Sequence, residues 1–203
     1  MNSLFHNLDS VKQQRIINAA FEEFMQSGYA KASTNEIVKK AQISKGSLFN
    51  YFTSKKDLYV YLIEHSVQII EKIYEHIDLN ERDIFRRLEK IGLYKLHLQK
   101  RYPKIFDFLI SLKLEESEEV RKEISNRIDT IQEQGVSKIY ENIDYSMFRE
   151  DIDIQKAIEI MNWTMFGFGE KAISQLDTFE LVGEEYLKEW ESYSNILKSS
   201  FYK

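Results

Sequence analysis

Apolar residues recur along this chain at intervals of three and four almost from end to end, and no sustained apolar/polar alternation interrupts them. That spacing predicts an all-α fold. Ile16, Ala20, Phe21 and Phe24 mark one face of a first helix, opened by a Ser10–Gln13 capping box and stopped by Gly28. A second box, Ser33 with Glu36, precedes the short run Ile37, Val38, Ala41, and Ser44 caps another short run through Phe52. Beyond Ser54 the pattern lengthens into amphipathic helices over roughly 55–76, 81–101, 103–114, 117–142, 152–175 and 178–200. Their candidate N-caps are Asn80, Ser117, Asp151 or Asp153, and Asp177; Tyr102-Pro103 forces a break, because proline restricts the residue before it.

Two short helices joined by a tight turn and buttressed by a longer one have the proportions of a helix-turn-helix unit, whose second helix enters the major groove of DNA. Leu48 and Phe52, four apart, are placed to pack on Ile37 and Ala41, which leaves Lys45, Ser47, Phe49 and Asn50 pointing outward. Gly46, early in so short a helix, costs up to about 1 kcal/mol relative to Ala, and close approach to a bulky backbone would compensate. Lys55, at the start of the next helix, is placed to hold a phosphate together with the N–H groups there.

Ile37, Ala41, Ser44, Gly46, Tyr51, Phe52, Lys55 and Leu58 fall without a gap on the motif Thr-x-x-x-Ile-Ala-x-x-Ala-Gly-Val-Ser-x-Gly-x-x-Tyr-x-Tyr-Phe-x-x-Lys-x-x-Leu, and Thr34 is taken as its Thr, one residue nearer to Ile37. Over residues 10–60 the chain thus resembles the TetR family of bacterial transcriptional regulators; the remainder is similar only in length and helical content. Three positions depart from the motif. Val38 replaces a small Ala, Gln42 replaces the turn Gly, and Phe49 replaces a Tyr. Gln42 must either adopt a positive φ at some cost or use a turn without one. Phe49 lacks the hydroxyl that the family's Tyr gives to a phosphate. The resemblance implies that Thr34, Tyr51 and Lys55 meet backbone phosphates and that Lys45, Ser47 and Asn50 read base edges, with Gly46 and Phe49 in the same DNA-binding surface. It further implies residues 1–55 as a DNA-binding head and 56–203 as a helical body that dimerises and binds a small effector. The expected protein is a ligand-responsive regulator, most often a repressor, that binds a palindromic operator on double-stranded DNA as a homodimer.

Charge agrees with that division. Residues 1–55 hold seven basic and four acidic side chains, a balance of +3, so the remaining 148 carry −8 of the chain's net −5. Hydrophobic residues make up 43% of 203, enough for a sizeable core, and the absence of Cys removes disulfides and thiolate metal sites. "MNSLFHNLDS" lacks an apolar leader and no run of about 18 apolar residues occurs, so the expected location is the cytoplasm and no membrane partner is expected. His6, His65, His76 and His97 show no metal-ligand spacing, and the adjacent pairs Glu64-His65 and Glu75-His76 read as solvated. No catalytic residue, metal or cofactor is expected. An enzyme is the competing reading without a motif; a helical adaptor that binds only protein leaves the phosphate-compatible motif unexplained.

In the body, Tyr94, Phe108, Tyr140, Trp163 and Phe166 are the candidates to border an effector cavity, although aromatics at helical spacing are ordinarily core. Few polar groups accompany them, which favours an apolar or aromatic effector. Phe179, Gly183, Tyr186, Trp190, Tyr193 and Leu197 recur at alternating fours and threes, the spacing of a helix-pairing seam. On the preceding helix Ile154, Ile158, Met161, Met165, Phe168 and Ala172 form one line, while Trp163 and Gly167 lie opposite. The expected dimer interface is Met161, Met165, Phe168, Gly183, Tyr186, Trp190, Tyr193 and Leu197.

Overall fold

The computed structural model describes residues 3–203. Its helices are α1 (Ser3–His6), α2 (Ser10–Lys31), α3 (Thr34–Ala41), α4 (Lys45–Tyr51), α5 (Lys55–Glu75), α6 (Ile84–Arg101), α7 (Pro103–Ser111), α8 (Glu118–Tyr140), α9 (Ile154–Ser174) and α10 (Glu185–Phe201). Among the described residues there is no strand, only an isolated antiparallel bridge between Phe148 and Tyr202. The all-α expectation is met. The chain forms two compact units: one runs to Ile70 and includes Lys104–Gln132, the other comprises Glu71–Pro103 and Glu133–Lys203. These compact units have other bounds than the expected functional division at residue 55.

The first unit is built on aromatic contacts. Tyr59 packs edge-on against Phe24, Tyr29 and Phe108 with centroids 4.8, 5.1 and 5.6 Å apart, and Phe21 lies 4.9 Å from Phe108. Burial, and then the Glu119 carboxylate that accepts its hydroxyl proton, push the Tyr29 phenol upward. Phe5 on α1 is buried 4.9 Å from Phe52 and 5.3 Å from Tyr61. Helix α2 opens differently from expectation: Asp9 is the cap, accepting from Lys12 N–H at 2.9 Å, while Gln13 donates to the carbonyls of His6 and Leu8. An ionised acceptor one residue earlier outcompetes the Ser10 hydroxyl. The Ser33–Glu36 box is also replaced. Ser33 caps α3 without a side-chain bond, and its own N–H donates to Glu23 at 3.0 Å. At Gly28, φ 67 and ψ 166 break the helix in a region open essentially to glycine alone.

In the second unit Arg87 is 1% exposed and spends its guanidinium on carbonyls alone: Leu79 and Glu81 before α6, Ile139 and Glu141 at the end of α8. Asp83, not Asn80, caps α6 through the N–H groups of Phe85 and Arg86. The same carboxylate accepts from Lys198 and the Tyr202 hydroxyl, each at 3.1 Å, so it also fixes the end of α10. Asp153 caps α9, one of the two expected residues. The expected last helix from 178 is interrupted: a 3-10 turn covers Phe179–Leu181, and α10 starts only at Glu185, after Gly183.

Burial raises the Asp83 carboxyl, but the hydrogen bonds from Lys198, Tyr202 and Phe85 N–H outweigh it and hold the group below the usual carboxylate range. A lowered folded value stabilises above the unfolded one, about 3.9, and that stabilisation is lost as pH falls through the folded value. Asp83→Asn should therefore cost about 1–3 kcal/mol at pH 7 in urea unfolding, with the difference from the parent shrinking below about pH 4. A cost that stays constant down to pH 2 would show that the charge contributes nothing.

Candidate nucleic-acid interface

Helix α3 ends at a left-handed residue, Gln42, with φ 53 and ψ 47. The Ile43 and Gln42 N–H groups then donate back to the carbonyls of Val38 and Lys39 at 3.1 and 3.2 Å, closing the helix as a glycine would. Of the two alternatives for Gln42, the chain takes the positive φ. Two residues later Ser44 caps α4, accepting from Ser47 N–H at 3.0 Å. Ile37, Ala41, Leu48 and Phe52 are all buried, which fixes the rotation of α4 as the spacing predicts.

Lys45, Gly46, Phe49 and Asn50 then share the exposed face of α4, and Lys39 is exposed at the end of α3. The other expected DNA residues, Thr34, Ser47, Tyr51 and Lys55, are half-buried. The Ser47 hydroxyl lies 2.8 Å from that of Ser44, Tyr51 is half-buried with its ring 5.9 Å from Phe5, and Thr34 is half-buried at the first turn of α3. Lys55 is placed differently from expectation. Its ammonium donates to the carbonyls of Tyr29, Ala30 and Ala32 at 2.7, 3.1 and 3.3 Å and sits 4.7 Å over the Tyr29 ring. It closes the broken end of α2, where carbonyls lack partners and a cation is favoured. Glu23, which the sequence did not single out, joins the Ser33 N–H bond to a Lys40 contact at 3.8 Å and so ties α3 to α2.

The expected effector residues are not brought together. Phe108 is sealed in the first unit against Phe21 and Tyr59. Tyr140 is half-buried and donates to Asn162 at 2.7 Å. Trp163 is 68% exposed and Phe166 is also exposed, so neither faces an interior. Tyr94 lines a cavity of about 390 Å³ between Ile73, Ile77, Ile91 and Leu93. His76 is exposed, as its solvated reading expects, and also stacks on Tyr94 with centroids 3.9 Å apart, while His97 lies 6.2 Å from the same ring. An adjoining cavity of about 530 Å³ between α6 and α10 shares Leu93 and His97 and adds Phe85, Leu96, Leu187 and Trp190. The helical interval 94–97 held the only sequence signal for this ring wall; His76 belongs to α5's far end and carried none.

The expected dimer residues also divide. Met161 is 2% exposed in the second unit's core, with Met165, Trp190 and Leu197 packed against it, so this line serves the chain's own fold. Phe168 and Tyr186 are half-buried, Phe168 with centroids 5.5 Å from Trp190 and 5.8 Å from Tyr193, and Gly183 precedes α10 rather than lying on it. Tyr193 is exposed. The opposite face of α9 carries the exposed apolar side chains Ile160, Trp163 and Phe166 beside Gly167, and Ile196 is exposed on α10.

A short helix, a tight turn and a second short helix presenting a basic, an amide and an aromatic side chain define a helix-turn-helix protein of the DNA-binding class. The family described as bacterial regulatory proteins, tetR family, matches residues 16–62, the stretch that contains α3 and α4. Over 67 residues it is 33% identical to the fatty acid metabolism regulator protein of Bacillus subtilis, a match covering 32% of this chain and about a third, 34%, of that relative's length. Two solved structures share the fold along nearly the whole chain. A TetR family transcriptional regulator from Chloroflexus aurantiacus has TM-score 0.64 and 22% identity over 99% of this chain and 98% of its own. A ketosteroid transcriptional regulator of Mycobacterium tuberculosis has TM-score 0.65 and 16% identity over 97% of each.

The Lys55 geometry separates folding from phosphate binding. Lys55→Met keeps the aliphatic stem and removes the charge-assisted bonds, so it should lower the melting temperature by the equivalent of about 1–2 kcal/mol. The slope of log affinity for duplex DNA against log salt should stay unchanged. A slope flattened by about one unit with unaltered stability would return Lys55 to the phosphate contacts.

Proposed function

We propose that the protein is a cytoplasmic transcriptional regulator that binds a palindromic operator as a homodimer and leaves it when a small apolar or aromatic effector enters the second unit. The observation carrying this reading is the face of α4: charged, amide and aromatic groups exposed together on a helix whose inner face is locked by Leu48. The tetR-family match over residues 16–62 supports DNA binding rather than catalysis, and no helix among the described residues is long and apolar enough to cross a membrane. Repression is the commoner mode among such regulators. The names of its relatives, a fatty acid metabolism regulator and a ketosteroid regulator, accord with an apolar effector.

Two features support the finer parts. In the 390 Å³ cavity Lys90 is already matched by Glu81 at 3.0 Å and Asp78 at 3.8 Å, and Arg87 by carbonyls, so the apolar side chains and the His76–Tyr94 stack remain for a ligand. Its volume is within the range of small-molecule sites. The Ile160–Trp163–Phe166 face of α9 is an apolar stripe that one chain leaves in water, and a Cβ placed at Gly167 would meet no neighbour among the described residues within 4 Å. Pairing that stripe with its symmetry mate, assisted by Tyr193 and Ile196 on α10, forms an isologous interface and spaces two heads for half-sites about 34 Å apart.

Selection of bound duplexes from a random pool should enrich a two-fold symmetric site whose affinity falls steeply with salt; a chain retained on no duplex would leave a protein-binding adaptor instead. On that site Trp163→Glu should turn the dimer into a monomer by sedimentation, keep the helical circular dichroism, and weaken operator binding by 10²-fold or more through lost avidity, an order-of-magnitude expectation. A variant that remains dimeric with normal affinity places the interface elsewhere. A panel of apolar and aromatic compounds should yield ligands that raise the melting temperature and release the operator, and Tyr94→Ala should abolish both effects. Release that persists in Tyr94→Ala excludes the His76–Tyr94 cavity.

A further inference from the structure

The glycines differ in what holds them as glycine. At Gly135 any side chain would collide with the Tyr74 ring, and at Gly92 it would press on Leu187 at 3.2 Å. Gly46 has no such reason. Its backbone is helical, and a Cβ there would meet only the Ser44 hydroxyl at an ordinary 3.9 Å. Alanine would fit and would favour the helix. Among the described residues nothing gives a steric reason for glycine at 46, which lies on the exposed face of α4. Phe49, three residues on and on that same face, is 40% exposed, a cost for an aromatic that the fold does not recover.

We propose that Phe49 is a specificity-determining residue that reads the 5-methyl group of a thymine in the operator, at the depth of approach that Gly46 permits. The proposal rests on the reading that α4 enters the major groove. Phe49 carries no donor or acceptor, so it can neither hold a phosphate nor complete a hydrogen bond to a base edge. The apolar feature on the major-groove edges of the bases is the thymine methyl, and a phenyl ring is a fitting contact for it. The ring reaches that methyl only if the helix backbone comes close to the groove floor, which a methyl group at position 46 would obstruct. One residue supplies the contact and the other the clearance.

The test uses the full chain and its selected duplex, with each thymine of a half-site replaced in turn by deoxyuridine, which removes one methyl group and nothing else. One such replacement should weaken binding by the parent about three- to tenfold, while Phe49→Ala, folded by its helical circular dichroism, should bind the thymine and deoxyuridine forms equally. Gly46→Ala should melt at the same or a higher temperature and bind the operator at least tenfold more weakly. Tight operator binding that is indifferent to every deoxyuridine replacement overturns the thymine contact while leaving the regulator reading intact; no binding to any duplex overturns both. Normal operator affinity in Gly46→Ala overturns the close approach.

Discussion

One ammonium group holds together the two points between which the DNA-facing helices hang. Gly28 breaks α2 at a conformation other residues rarely adopt, and the carbonyls of Tyr29, Ala30 and Ala32 are left converging without helical partners. Lys55, more than twenty residues further along, fills that convergence at the first turn of α5. Everything between, α3, the Gln42 turn and α4, is thereby a closed loop fastened at both ends. The buried Leu48 and Phe52 then set the rotation of α4 inside this loop, and Glu23 braces α3 from within. Without the clasp, the same apolar contacts would have to close the loop against its entropy alone.

The second unit solves a similar problem with two charges. Arg87 satisfies carbonyls from segments more than fifty residues apart, and Asp83 caps one helix while holding the last turn of another. In both, the charged group is buried only because its hydrogen-bonding capacity is filled. Neither charge is left over for a ligand. In the cavity beside Tyr94 this leaves mainly rings and aliphatic side chains, whereas the one between α6 and α10 also carries charged residues such as Glu89, Lys188 and Glu191.

Sequence spacing made legible what depends on periodicity: the helices, the short pair around Gln42, and the inward set Ile37, Ala41, Leu48 and Phe52. It was less informative where several groups of one kind compete. Asp9 beside Ser10 and Asp83 near Asn80 are both good caps, and the ionised member won each time because its bonds to N–H groups are charge-assisted. The role of Lys55 was hidden because a lysine at a helix start fits a phosphate as well as it fits a neighbouring helix end. On α9 both apolar faces were visible, but spacing does not say which one the chain keeps: Met161 went inward and Trp163 outward. The effector residues were the least legible, since a wall made of Tyr94 and His76 joins helices whose register to one another the sequence does not encode.

The head separates side chains that hold it together from side chains that it merely displays. Lys55, Glu23, Ser44 and Leu48 are committed to internal bonds or burial, whereas Lys45 and Phe49 project from a helix whose position they do not set. A lineage carrying this scaffold is therefore free to explore new recognition sequences by exchanging the displayed positions one at a time, each step leaving a folded protein for selection to act upon. The invariance of a lysine across such a lineage would then record how the scaffold closes, and the variable residues beside it would hold the history of the promoters it has served.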